Sequence, residues 1–184
     1  MRDPESSNVR IVIAPELLRK LGARAVELIN IRTLEGIDAE GKKFVGYSTR
    51  PFCRPYAGVP KTTINRLEAE GSLSYFTVRG KDRGALWIRI EDGYLEFKRA
   101  RNPAWNGVVD LHDTGEMMRN LSVTGTGASS VTIGFKTFPA AQKAYWHNVS
   151  GAGRSHVIRK FLGISPKDMT ELIDLIQQGI TVQF

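Results

Sequence analysis

Apolar positions along the chain follow two periods, one helical and one strand-like. Met169, Leu172, Ile173 and Ile176 recur at helical spacing and place one apolar face on a C-terminal helix. Ser165 stands where an N-cap belongs and Pro166 suits the first helical position. Asp168, three residues past the cap, faces the amides that a first turn leaves unpaired. Near the other end, Ala14-Pro15-Glu16 opens a long helix whose inner side carries Leu17, Leu18, Leu21, Ala25, Leu28 and Ile29. It runs about four turns and ends near residues 32–35, with Gly22 costing roughly 1 kcal/mol relative to alanine.

Between these helices the period falls to two. Residues 75–79, 86–90 and 94–98 read as strands, the last two joined by the hairpin signal Glu91-Asp92-Gly93. Residues 121–126 and 131–135 form a second hairpin over Gly127-Ala128-Ser129, and residues 9–13 and 179–184 are short strands at the ends. Residues 62–70 make one or two helical turns stopped by Gly71, and Asp113 caps a short helix reaching Leu121. Asp38, between Gly36 and Gly41, predicts a tight turn in which the aspartate bonds its own downstream backbone. Residues 49–61 read as loop. A short helix beginning near Ala140 leads into a glycine-broken basic loop over residues 149–160, then Phe161-Leu162-Gly163. These elements predict an α+β fold: an antiparallel, hairpin-rich sheet packed against a long N-terminal helix and a C-terminal helix. A single domain over residues 1–184 is expected, with an inserted hairpin arm at about 74–107.

Composition narrows the function. Hydrophobic residues make up 41% and charged residues 24% of the chain, a globular mixture. No apolar run is long enough to span a membrane, and the first ten residues lack the apolar core of a signal peptide. Cys53 is the one cysteine, so no intrachain disulfide forms, as suits a reducing compartment. It sits in a proline-rich loop without an adjacent base and reads as an ordinary thiol. The net charge of +7 raises encounter rates with polyanions, but the basic residues are spread over several clusters.

Candidate chemistry is thin. His112, His147 and His156 lack the i, i+4 pairing of a helical zinc site. The Asp38 segment has too few carboxylates for a calcium loop, and Gly151-Ala152-Gly153-Arg154-Ser155 lacks the spacing of a phosphate-binding loop. No enzyme, cofactor or metal is expected. Arg99, Arg101 and Trp105 leave three readings open: a surface that stacks on bases, an anchor for a protein partner, or a tryptophan packed on its own hairpin. With Arg154 and Lys160 they form the candidate subunit or DNA contacts.

In order along the chain, the landmarks resemble the phage virion morphogenesis family, the tail-completion and neck proteins of long-tailed bacteriophages. The first is a G-x-D-x-x-G-x-x-F-x-x-Y-S segment carrying Asp38, Gly41, Phe44 and Tyr47. Leu111, Thr114-Gly115 and Ile133-Gly134 follow, then Tyr145, His147 and Gly151. The last is R-x-F-L-G-I-S-x-x-D, with Arg159, Phe161, Leu162, Gly163 and Asp168. The resemblance covers residues 17–176; proline is usual where Lys160 stands, and the hairpin region is longer than usual. It implies a non-enzymatic virion protein, made in the host bacterial cytoplasm, that completes the tail or joins head to tail. A homo-oligomeric ring, hexameric by the resemblance, would touch tail-tube and neck or connector proteins and packaged DNA in its lumen. On this reading Phe161-Leu162-Gly163 is local core and His147 a hydrogen-bonded structural histidine. A basic nucleic-acid-binding module, and a tail assembly factor absent from the finished particle, are the alternatives.

Overall fold

A computed structural model describes residues 10–12, 14–78, 84–153, 156–179 and 181–183. It has the expected α+β class with antiparallel pairing, but the described strands divide into three small sheets. Where one domain with a hairpin arm at 74–107 is expected, contacts separate two compact units. The first combines residues 1–44 and 110–184; the second is residues 45–109, an insert broader than a hairpin.

In the first unit, β1 (Arg10–Val12) pairs antiparallel with β7 (Thr181–Gln183). Helix α1 (Pro15–Leu34) has the expected bounds; its 20 residues make more than five turns, not four. Its inner face packs against the hairpin β5 (Leu121–Thr126) and β6 (Val131–Phe135), and against α6 (Pro166–Gly179). Ala25, Leu28 and Leu172 form the core there, with Leu21, Ile133 and Ile164 packed on them. Gly22 faces the hairpin, and a Cβ at that position would lie 2.7 Å from methyl groups of both Val123 and Val131. The glycine that weakens the helix in isolation is what lets the hairpin approach it.

The short helix α4 (Glu116–Arg119) is preceded by Gly115 in a left-handed conformation. Asp113 is therefore not its cap; Thr114 Oγ1 accepts from the Glu116 amide at 3.4 Å. Helix α5 (Phe138–Tyr145) continues into a π-helical turn at Trp146–Ser150.

The second unit holds β2 (Phe52–Pro55), α2 (Lys61–Ala69), β3 (Leu73–Thr77), β4 (Leu86–Ile90) and α3 (Gly93–Arg101). Its sheet has the order β2-β4-β3 and is antiparallel throughout. Ile64, Leu67, Ile88, Ile90, Phe97 and Ala100 make its core. Two expectations fail here. Residues 52–55, read as loop, form an edge strand, where Pro55 is tolerated because an edge needs fewer amide donors. Residues 94–98, read as a strand, are helical. The apolar positions 94, 97 and 100 recur every three residues, and Gly93 at φ +79° turns the chain out of the sheet. A Cβ on Gly93 would come within 2.5 Å of the Ser48 carbonyl oxygen, so the turn admits only glycine.

Candidate functional site

The two ends of the motif pattern meet around one arginine. Arg32, on the last turn of α1, extends its side chain into the segment before α6 and is buried. Its Nη2 donates to the carbonyl oxygens of Phe161 and Gly163, both at 2.8 Å, and its Nη1 pairs with Asp168 Oδ2. Asp168 in turn completes the expected capping box. Its Oδ2 accepts from the Ser165 amide at 2.9 Å, and Ser165 Oγ accepts from the Asp168 amide at 3.2 Å. Burial acts most strongly on the Arg32 guanidinium and lowers its pKa, while the Asp38 carboxylate raises it. The sequence motifs do not include Arg32. The signal was present, however: it continues the Ala25, Leu28 stripe at helical spacing, an odd place for a charge.

The Asp38 turn seats against the same segment. Asp38 Oδ1 accepts from the amides of Glu40 and Lys42 at 2.9 and 2.8 Å, as the turn chemistry predicts. Gly41 takes φ +83°. The Ala39 amide then donates to the Lys160 carbonyl at 2.7 Å, and a Cβ on Gly163 would lie 3.0 Å from Ala39 Cβ. Lys160 Nζ reaches Glu40 at 3.5 Å, across an exposed pair. Phe44 is buried in this unit. Tyr47 belongs to the second, with its ring 4.9 Å from Tyr94 and 5.8 Å from Trp105. Gly134 lies on β6 opposite Ser122.

His147 sits in the π-helical turn, where its carbonyl accepts from the buried Arg159 amide at 2.6 Å. The expected hydrogen-bonded imidazole is not what the fold provides at Nδ1, which is buried with no hydrogen-bond partner among the described residues. Burial, with the Arg159 charge second, pushes the His147 pKa down to about 4. Gly151 ends the turn at φ +80°, and a Cβ there would collide with the His156 backbone. Phe161 is fully buried, as expected of local core, whereas Leu162 is 38% exposed.

The candidate contact residues separate. Arg99, Arg101 and Trp105 lie in the second unit, Lys160 lies in the first, and Arg154 falls outside the described residues. Arg99 is exposed and pairs with Glu96 at 3.6 Å, while the Arg101 guanidinium stands 6.0 Å from the Phe97 ring. Trp105 is half-buried; its Nε1 donates to the Val108 carbonyl at 2.6 Å and Lys98 Nζ lies 5.9 Å from its ring. The expected hairpin is replaced by α3, and the tryptophan's contacts are with Tyr47, Lys98 and Val108 of its own unit.

Among the described residues no cluster of three His, Cys, Asp or Glu side chains could hold a metal ion, and no helix is long and apolar enough to cross a membrane. A shallow open hollow between α1 and α6 is lined by Arg24, Glu171, Asp174, Leu175 and Gln178, with Arg24 and Glu171 ion-paired at 2.5 Å.

A second surface feature is apolar. Phe138 and Tyr145 are seven residues apart and share a helix face, Trp146 and Val149 continue it, and all four are exposed, Phe138 to 76%. Ile158 and Leu162 flank them, because the 158–162 segment is tied to the π-helical turn by the Arg159 amide and by the Leu162 amide on Asn148 Oδ1 at 2.9 Å. Comparison of the chain with protein-family models, curated proteins and solved structures finds no match.

Proposed function

We propose that this chain is a structural protein of a bacteriophage virion, completing the tail or joining head to tail as a ring of identical subunits at the neck, and acting by assembly, not by catalysis. The phage assignment rests on the motif resemblance. The assembly role rests on the exposed apolar side chains of Phe138, Tyr145, Trp146 and Val149 along α5 and its π-helical turn, with Ile158 and Leu162 exposed on the segment hydrogen-bonded to that turn. Several large apolar side chains exposed along one helix are a usual mark of a protein-protein contact. A ring needs heterologous contacts, in which a patch on one subunit meets a different patch on the next. The motif segments support the reading from another side. Their residues are spent on the Arg32 staple and the Asp38 turn, which hold residues 160–163 in one geometry. The excess positive charge suits either DNA in a ring lumen or an acidic neighbouring tube or connector protein.

The test is antibody labelling of purified virions, viewed by electron microscopy. Label confined to the head-tail junction supports a neck ring, and label along the tail makes the chain a tube component. Washed particles free of label sink the virion reading and favour an assembly factor that leaves before completion.

A further inference from the structure

The sheet of the second unit has two unlike faces. Its register puts Phe52, Leu73, Ile88 and Ile90 on the side of the core, and Cys53, Pro55, Phe76, Trp87 and Arg89 on the other. A solvent-facing side of an antiparallel sheet is normally polar. Here Phe76 and Trp87 are direct cross-strand partners with ring centroids 6.4 Å apart; Phe76 is 39% exposed and Trp87 half-buried. Arg89 follows Trp87 by two positions on the same face, exposed, and paired only loosely in energetic terms with Glu91 at 3.0 Å. The insert is also where the charge resides. It has eleven lysines and arginines against six acids, so five of the chain's formal surplus of seven fall within residues 45–109.

We infer that this open face binds single-stranded nucleic acid, with unstacked bases on Phe76 and Trp87 and a backbone phosphate on Arg89. The two properties together select the ligand. An exposed and a half-buried ring side by side on the sheet offer stacking, and the insert's positive surplus suits a polyanion; a nucleic acid with its bases free supplies both. A duplex meets the charge but keeps its bases inside the stack, leaving the rings without a partner. A phosphate would replace Glu91 on Arg89, exchanging a weak exposed ion pair for a charge-assisted contact.

The experiment uses the full chain and a fluorescently labelled oligothymidine of about twenty nucleotides, a length covering more than one typical binding site. Anisotropy is titrated over a salt series, and tryptophan emission is followed in parallel. The inference expects saturable binding, with Phe76→Ala and Trp87→Ala each weakening it by about tenfold and Trp87→Tyr keeping most of it. Arg89→Ala should reduce the salt slope by about one. Unchanged thermal melting of each variant shows that the fold is intact. Failure to bind at low salt overturns the inference. So does equal affinity for a duplex of the same length with both ring variants silent, which would mark binding by charge alone and leave the face to a protein. Virion labelling is read independently: a chain found at the neck can still fail to bind the oligonucleotide, and the reverse.

Discussion

Arg32 and Asp168, 136 positions apart, meet as a buried ion pair that joins the end of α1 to the start of α6. Both side chains are less than a tenth exposed. Such a pair adds little net stability over an apolar replacement, yet removing one partner strands the other charge, at a cost of about 3–5 kcal/mol. Arg32→Met and Asp168→Asn are each expected to destabilise the chain by that amount in denaturant unfolding. The double variant should cost clearly less than the two added together. Arg32→Lys should fail to rescue, because a single ammonium cannot span Asp168 and two carbonyls. Single variants within 1 kcal/mol of the parent would show that the staple is not closed in solution.

Gly22 gives a prediction whose sign sequence reasoning alone would get wrong. Helix propensity favours alanine there by roughly 1 kcal/mol. In the fold that Cβ would stand 2.7 Å from Cγ2 of both Val123 and Val131, inside contact distance of two stiff β-branched side chains. Gly22→Ala should therefore destabilise by about 1–3 kcal/mol, the range for an overpacked site. Val131→Ala in the same background should recover part of the loss. A stabilising Gly22→Ala would mean that the hairpin sits farther from the helix than described here.

These two cases mark how far the sequence could be read. Periodicity placed α1, α6 and the β5–β6 hairpin, because long amphipathic segments and matched alternating runs leave few alternatives. The Ser165–Asp168 capping box and the Asp38 turn were legible for the same reason: their chemistry is local, closed within four residues. Residues 94–98 misled because five residues of mixed polarity fit a strand and a helix equally well, and the deciding contact, Gly93 against the Ser48 carbonyl, is tertiary. The role of Arg32 is not legible locally, since its partners lie about 130 residues downstream, at Phe161, Gly163 and Asp168. The exposed aromatics at Phe138, Tyr145 and Trp146 could not be told from core by pattern, since exposure depends on what the rest of the chain covers.

The apolar stripe predicts a separation of assembly from stability. Tyr145 and Val149 are more than half exposed, so Tyr145→Asp with Val149→Asp should move folding stability by no more than about 1 kcal/mol in total, as for substitutions outside a core. If the stripe is a contact between copies, light scattering on the parent chain should report an oligomer and the double variant a smaller species. A parent chain that stays monomeric at every concentration tested would remove the self-contact and leave the stripe to another virion protein.

His147 should set the pH dependence in a narrow window. The unfolded chain takes up a proton on this imidazole near 6.5, its ordinary value, whereas the folded chain holds it neutral down to about 4. Between those values the unfolded state binds more protons, so stability rises with pH. The His147 contribution is complete above about 6.5 and lost progressively as pH falls toward 4, on the order of 3 kcal/mol in all at 1.36 kcal/mol per pKa unit. Glu40 and Glu116 titrate below the usual carboxylate value of 4.5, drawn down by hydrogen bonds from Lys42 and Lys143, so their losses fall beneath most of this window. Denaturant midpoints measured from pH 7 to pH 4.5 should therefore decline for the parent chain and decline far less for His147→Gln. Parallel profiles for the two would mean that the imidazole is reached by solvent, and that its buried, unpartnered Nδ1 is not a property of the folded chain.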